Sequence, residues 1–199
     1  MSGARPSLVL ASASPRRREI LAALGLVIEV QPSGADEDAL EIENDVEFVC
    51  AAAQMKLEDV LRTCQHPGAY VLAADTTVCV DGQRLGKPSD DGDAVRMLEL
   101  LTGRDHVVRT AMALGRVGEG VLECRVVETR VWFRPASRAE IERYVAAGES
   151  RDKAGAYGVQ GLASGFVTRL EGSYTNVVGL PAADVVTLLL DHGALGQWP

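Results

Sequence analysis

The sequence predicts an α/β fold, α+β in the sense that its sheet is mixed, and three observations carry that expectation. Apolar, β-branched runs alternate with segments of helical periodicity along the 199 residues. Turn signals at Asp81-Gly82 and Gly118-Glu119-Gly120 mark antiparallel hairpins between neighbouring runs. With 47% hydrophobic and 24% charged residues, the chain has the composition of a soluble globular protein long enough to bury a core.

Each element has its own local reason. Leu8-Val9-Leu10 is an apolar run and predicts a strand over 7–11. Ser14 is a good N-cap and Pro15 suits the first helical position, so a helix is expected over 15–24, with Ile20, Leu21 and Leu24 on one face and Gly25 closing it. A strand at 26–31 and a helix at 45–64 follow. The runs 70–74 and 77–80 predict two strands on either side of Asp75, and Val80-Asp81-Gly82-Gln83 a tight turn. Next come a helix at 91–101, a long hairpin pairing 107–115 with 122–133, and a helix at 137–147. A strand at 165–170 and a helix at 181–191 complete the chain. No repeat, low-complexity stretch or linker interrupts it, so residues 1–199 are expected to form one domain; any two lobes would share an interface and a cleft.

A net charge of −8 argues against a nucleic-acid polymer as partner, while leaving room for a small anion in a local basic pocket. The positions of the cations therefore carry more information than their number. Cys50, Cys64, Cys79 and Cys124 show no CxxC pair, and the three histidines have no ligand spacing with them. They are read as buried thiols in a reducing compartment, without a zinc site. No stretch approaches the roughly 20 apolar residues that cross a bilayer, and no targeting segment is evident. Cytoplasmic localisation without membrane attachment is the default expectation.

Several polar residues need explaining. Arg16, Arg17 and Arg18 crowd the first turn of a helix, where unpaired N–H groups already place about half a positive charge. Hydroxyls, N–H groups and guanidinium forks together make a phosphate receptor; the alternative is three solvated side chains. Asp75 interrupts "YVLAADTTVCV", where a carboxylate costs desolvation unless it is paired, bonded or metal-bound; the alternative is an aspartate capping a turn between two strands. Lys87 is held between Gly86 and Pro88, although no P-loop is present. The loop "GESRDKAGAYGVQG" (148–161) offers Lys153 to a phosphate and Gln160 to a base edge, or is only a glycine-rich connector. Glu37, in an acidic run, is the second carboxylate that an enzyme handling a metal–triphosphate needs.

These residues, in this order, resemble a known family. "LASASPRRREIL", "AADTTV", "LGKP", "LTGRDHVVRT", "DKAGAYGVQG" and "GSYTNVVGLP" are similar to the ordered blocks of the Maf family, and the resemblance spans nearly the whole chain. It implies an elongated two-lobed fold with a central nucleotide-binding cleft. It also implies hydrolysis of a nucleoside triphosphate to the monophosphate and pyrophosphate with a divalent cation, Mg²⁺ or Mn²⁺, and a homodimer. Ser12, Ser14, Arg16 and Arg17 then fall in the phosphate-gripping motif, and Lys56 helps line the cleft. Asp75 takes the place of the general base and, with Glu37, of the metal ligands. Lys87 and Lys153 are matched as further site lysines, Lys87 with a catalytic part. Arg16, Thr76 and Gln160 are associated with base choice. The Ala74-Asp75-Thr76 triad resembles the branch acting on dTTP and UTP. Thr102, Ala111, Leu57 and Thr77 depart from the usual residues, none of them at a matched catalytic position. A 7-methyl-GTP or modified-nucleotide pyrophosphatase, a nucleotide-binding regulator of septum formation, and a generic phosphate-binding module stay open as alternatives.

Overall fold

The alternation of apolar and amphipathic segments becomes one seven-stranded sheet with its helices. The computed structural model describes residues 8–199; residue 7, where the first strand is expected to begin, lies outside the described residues. In chain order the elements are β1 (Leu8–Leu10), α1 (Pro15–Ala23), β2 (Ile28–Val30), α2 (Asp45–Thr63), β3 (Tyr70–Val80), β4 (Gln83–Leu85), α3 (Asp91–Leu101), β5 (Asp105–Arg116), β6 (Gly120–Phe133), α4 (Arg138–Ala146), β7 (Val167–Glu171), α5 (Tyr174–Val178) and α6 (Ala182–Asp191). The strand order is β2-β1-β3-β5-β6-β7, with β4 paired to β3. β1 runs parallel to both β2 and β3, Val9 pairing with Glu29 on one side and Val71 on the other. β3–β4 and β6–β7 are antiparallel, so the sheet is mixed, as expected.

The chain divides into two compact units. The first takes the described part of Met1–Asp75 with Thr110–Val126 and Gly179–Pro199; the second takes Thr76–Arg109 and Val127–Val178. In the first unit the apolar face of α2 supplies Val49, Ala53, Leu57 and Val60 to a core completed by Val9, Ala11, Val71, Ala73, Ala111 and Ala113. Alanines on the strands let the helix approach closely. Asn44 starts that helix by accepting the N–H groups of Val46 and Glu47, at 2.9 and 3.1 Å. The C-terminal helix is tied down by polar contacts. Tyr70 donates to the carbonyl of His192 at 2.8 Å, and Arg125 bridges Glu123 and Asp191. Hydrogen bonds from Arg125 and then His192 hold the Glu123 carboxyl down at about 2.

The second unit packs α3 on α4. Ser137 and Glu140 close a capping box at the start of α4, and Asp90 accepts the N–H of Asp93 at the start of α3. At the β3–β4 turn Asp81 and Gly82 take φ of 49° and 75°, the left-handed pair that a two-residue hairpin requires. Its aromatic cluster sets His106 edge-on to Phe133 and Tyr157, with Phe166 and Tyr144 beyond.

Four expectations are corrected. β3 is one unbroken strand of 11 residues, so Asp75 caps no turn and sits inside the ladder. Ser14 occupies the N-cap position but makes no side-chain capping bond; Ser12 Oγ instead accepts the Ser14 N–H at 3.2 Å. Cys50 and Cys124 are joined as a disulfide between α2 and β6, while Cys64 and Cys79 are buried free thiols. Local spacing could not reveal that pair, whose members lie 74 residues apart. The short helix α5 was not anticipated, and Ser173, which accepts the Asn176 N–H, marks its start. Among the described residues, no helix is long and apolar enough to cross a membrane.

At Gly115 the side chains of α2 lie close against β5. A Cβ there would lie 2.8 Å from both the Gly120 carbonyl oxygen and Leu61 Cδ1, and 3.2 Å from Leu57 Cδ2. Overpacking of that kind costs roughly 1–3 kcal/mol. Gly115→Ala is expected to lower the unfolding free energy by that amount, read as a lower urea midpoint with an unchanged m-value; a midpoint equal to wild type would show that the helix moves away freely.

Candidate active site

In a strand, alternate residues face the same way, so Asp75 shares the side of β3 that Val71 and Ala73 present to α2. Lys56 lies on the buried stripe of α2, four residues after Ala52 and four before Val60. Its stem runs along apolar surface and its ammonium emerges opposite Asp75. Nζ is 2.7 Å from Asp75 Oδ1 and 3.0 Å from Glu37 Oε1. Glu37 comes from a single 3-10 turn, Glu37–Ala39. The Asp75 side chain keeps 11% of its surface, Lys56 14% and Glu37 25%. Two carboxylates thus converge on one ammonium where little water remains to screen them.

Arg17 enters from the first turn of α1. Its Nε donates to the carbonyl of Gly179 at 2.9 Å, and Nη1 donates to the carbonyl of Ala74 at 2.8 Å and to Ser12 Oγ at 3.1 Å. Burial lowers its pKa from the ordinary value; Asp75 opposes that, Arg16 adds to it, and Glu37 opposes it again. A guanidinium stays charged at any working pH regardless. Counting Arg16, the first unit carries three cations and two carboxylates here, a local positive excess in an acidic chain. Arg18 is exposed.

The remaining expected residues belong to the second unit. Thr76 is half-buried on β3, and Lys87 is exposed in the turn after β4. The Gly86 carbonyl beside it accepts the Gly155 N–H at 3.0 Å, which joins the lysine turn to the 148–161 loop. That junction needs glycine: Gly155 has φ of 66°, and a Cβ on it would meet the Val78 side chain at 3.0 Å. Lys153 Nζ donates to the Glu149 carbonyl at 2.6 Å and to the Asp152 carboxylate at 2.5 Å. Gln160 is exposed.

The same loop is organised by side chains that sequence reading passed over. Glu149 accepts the Leu162 N–H at 2.9 Å and lies flat over Gly161, where any side chain would displace it. Tyr144 accepts the Gly158 N–H at 3.3 Å, and burial pushes its pKa up to about 12. His106 Nε2 and the Tyr157 hydroxyl are 2.7 Å apart, both buried, and burial raises Tyr157 as well. The glycines at 155, 158 and 161 were the available signal, since each marks a close approach.

A family model described as "Maf-like protein" matches residues 7–192. The chain belongs to the Maf family. It is 47% identical to a dTTP/UTP pyrophosphatase of Desulfotalea psychrophila over 188 residues, covering 94% of this chain and 95% of that one. It is also 47% identical to a protein of the same name from Anaeromyxobacter dehalogenans, over 97% of each chain. A third, from Bordetella parapertussis, is 48% identical over 94% and 93%. Of the cluster in the first unit the Maf blocks contain Asp75, while Glu37 and Lys56 lie between the first block and the second. In the second unit the blocks contain the loop joined to the Lys87 turn. Lys56 is the member that only the resemblance located: a lysine on a helix of 19 residues carries no local signal of where its ammonium ends.

Burial lowers the pKa of His106 to about 4, against an ordinary 6.5. The unfolded chain thus takes up a proton between those values that the folded chain refuses, so stability present above pH 6.5 is lost as the pH falls toward 4. The full effect is at most roughly 3 kcal/mol. Urea unfolding at several pH values should show a slope steeper by about one proton in wild type than in His106→Gln across that window. Parallel slopes would mean that His106 is protonated in the fold.

Proposed function

We propose that this protein is a nucleoside triphosphate pyrophosphatase acting on dTTP and UTP, releasing the nucleoside monophosphate and pyrophosphate, and that it works in the cytoplasm. The observation that supports this reading best is the convergence of Asp75 and Glu37 on Lys56 beside a buried guanidinium. Three relatives named for that activity match over nine tenths of the chain.

In this reading Asp75 is the general base. Lys56 occupies Oδ1, so Oδ2 is the oxygen that takes the proton of the attacking water. The water oxygen bonds to the α-phosphorus while the bond from that phosphorus to the bridging oxygen breaks. The bridging oxygen leaves with pyrophosphate. Lys56 orients the Asp75 carboxylate by holding one of its oxygens, and its charge faces the growing negative charge of the phosphates. Arg16, at the start of α1, binds the triphosphate with the hydroxyls of Ser12 and Ser14; Lys87 and Lys153 are proposed as further ligands of the leaving group.

Whether the residues fit a divalent cation can be judged from the donor set. Glu37 and Asp75 each give one oxygen to the Lys56 ammonium, so a divalent cation would be held by the carboxylate oxygens that Lys56 leaves open. Hard oxygen donors in that number suit Mg²⁺ or Mn²⁺, which complete their shells with phosphate oxygens and water. Among the described residues no group of three or more acidic, His or Cys side chains gathers, so substrate oxygens would supply the rest. Such a cation, when bound, supplies charge neutralisation on the phosphates and polarises water.

Asp75→Asn is expected to abolish pyrophosphate release from dTTP and UTP while changing nucleotide affinity less than about tenfold. Wild-type turnover in that variant would remove Asp75 from the base role. Orthophosphate in place of pyrophosphate as the wild-type product would overturn the reaction itself. Thr76→Ala and Gln160→Ala should shift the ratio of kcat/KM between dTTP and GTP by an order of magnitude, leaving inhibition by pyrophosphate unchanged. Equal losses on every nucleotide would take base choice away from these two residues.

A further inference from the structure

We propose that Arg17 is a positioning residue: it holds the backbone beside Asp75 in place and leaves the triphosphate to its neighbour Arg16. The inference rests on the reading of Asp75 as the base and concerns how that base is aimed.

The two arginines look interchangeable in the sequence, adjacent members of one cationic run. What Arg17 holds gives it a task of its own. Two nitrogens of the Arg17 guanidinium are engaged by three protein acceptors, and two of these are main-chain carbonyls, of Ala74 and Gly179. A carbonyl cannot move away to make room for a ligand without moving its strand or turn. The third acceptor, Ser12 Oγ, is itself fixed by the N–H of Ser14, which ties the guanidinium back to the entrance of its own helix.

The Ala74 carbonyl belongs to the same rigid peptide plane as the Asp75 N–H. A charged donor 2.8 Å from that oxygen pins the plane, and the Asp75 side chain leaves the backbone at the next atom. Lys56 then fixes the other end of the same side chain at 2.7 Å. Asp75 is therefore clamped twice, once through its backbone by Arg17 and once through its carboxylate by Lys56. The planar fork that meets several oxygens in fixed directions is a property of arginine that lysine lacks. In the catalytic step a small misdirection of a base costs rate more than binding, by about 10²-fold for a displacement near 1 Å.

The test compares Arg17→Lys with Arg16→Ala, and Arg17→Gln serves as second variant should the first not fold. Three readouts are taken: kcat and KM on dTTP, the inhibition constant of inorganic pyrophosphate, and amide hydrogen exchange along the chain. For Arg17→Lys the expected result is a fall in kcat of about 10²-fold. Pyrophosphate inhibition should stay within about threefold, with faster exchange confined to residues 72–77 and 178–182. For Arg16→Ala pyrophosphate inhibition should weaken by about tenfold or more, as loss of a charge-assisted bond predicts, with wild-type exchange at both segments. Weakened pyrophosphate inhibition in Arg17→Lys equal to that of Arg16→Ala would overturn the proposal, as would wild-type exchange at 72–77. The nucleotide reading fails separately: if wild-type protein releases no pyrophosphate from any nucleotide, exchange at 72–77 and pyrophosphate binding still decide what Arg17 does.

Discussion

One ammonium group between two carboxylates organises the first unit. Lys56 joins a helix, a central strand and a single 3-10 turn through contacts of 2.7 and 3.0 Å. Each partner is mostly withdrawn from water, so none could keep its charge there without the others: an isolated buried ion costs several kcal/mol, and removing one member of such a set strands the rest. The mutual dependence explains why the helix carries its lysine on the apolar stripe. It also explains why the strand tolerates an acid among alanines and valines. The arrangement contributes little as a stabilising device compared with apolar side chains of the same size; it holds charge at a defined place, which is a requirement of chemistry on phosphates.

The second unit orders its loop largely through backbone groups, beside the Lys153–Asp152 ion pair. Its loop at 148–161 is ordered by single hydrogen bonds that the N–H groups of Gly158, Leu162 and Gly155 donate to Tyr144, Glu149 and the Gly86 carbonyl, each at a glycine or beside one. Beneath it the His106–Tyr157 pair supplies a polar contact inside an aromatic cluster. Precision in this loop comes from the absence of side chains at chosen positions, so it is sensitive to additions more than to deletions.

Much of this architecture was legible in the chain, for definable reasons. Long periodic helices such as α2 and α3, and the Asp81-Gly82 turn, depend on neighbours within a few residues, and they form where local rules place them. The sheet's mixed character followed from hairpins interleaved with helical segments. Asp75 was visible as an anomaly, yet its setting was misread: a charged residue looks like a strand breaker until a helix 19 residues earlier is known to deliver its counter-ion. The Cys50–Cys124 bond and the Arg17 contact to Gly179 were illegible for the same reason, since each depends on residues brought together from far along the chain. The family resemblance singled out Lys56, which periodicity did not, because a family pattern records the outcome of tertiary contacts that no local rule contains.

The way the chain threads its two units has a consequence for synthesis. The path changes unit four times, and three of those crossings fall inside β3, β5 and β6. A ribosome emits the first unit's helix α2 early, but residues Gly179–Pro199, which complete that unit and include the carbonyl that Arg17 grips, emerge last. The first unit cannot finish until the whole of the second has been made, and no single cut yields an intact half. The nascent chain must hold the apolar faces of the first unit unfinished while the second is made, which makes its folding non-local by construction.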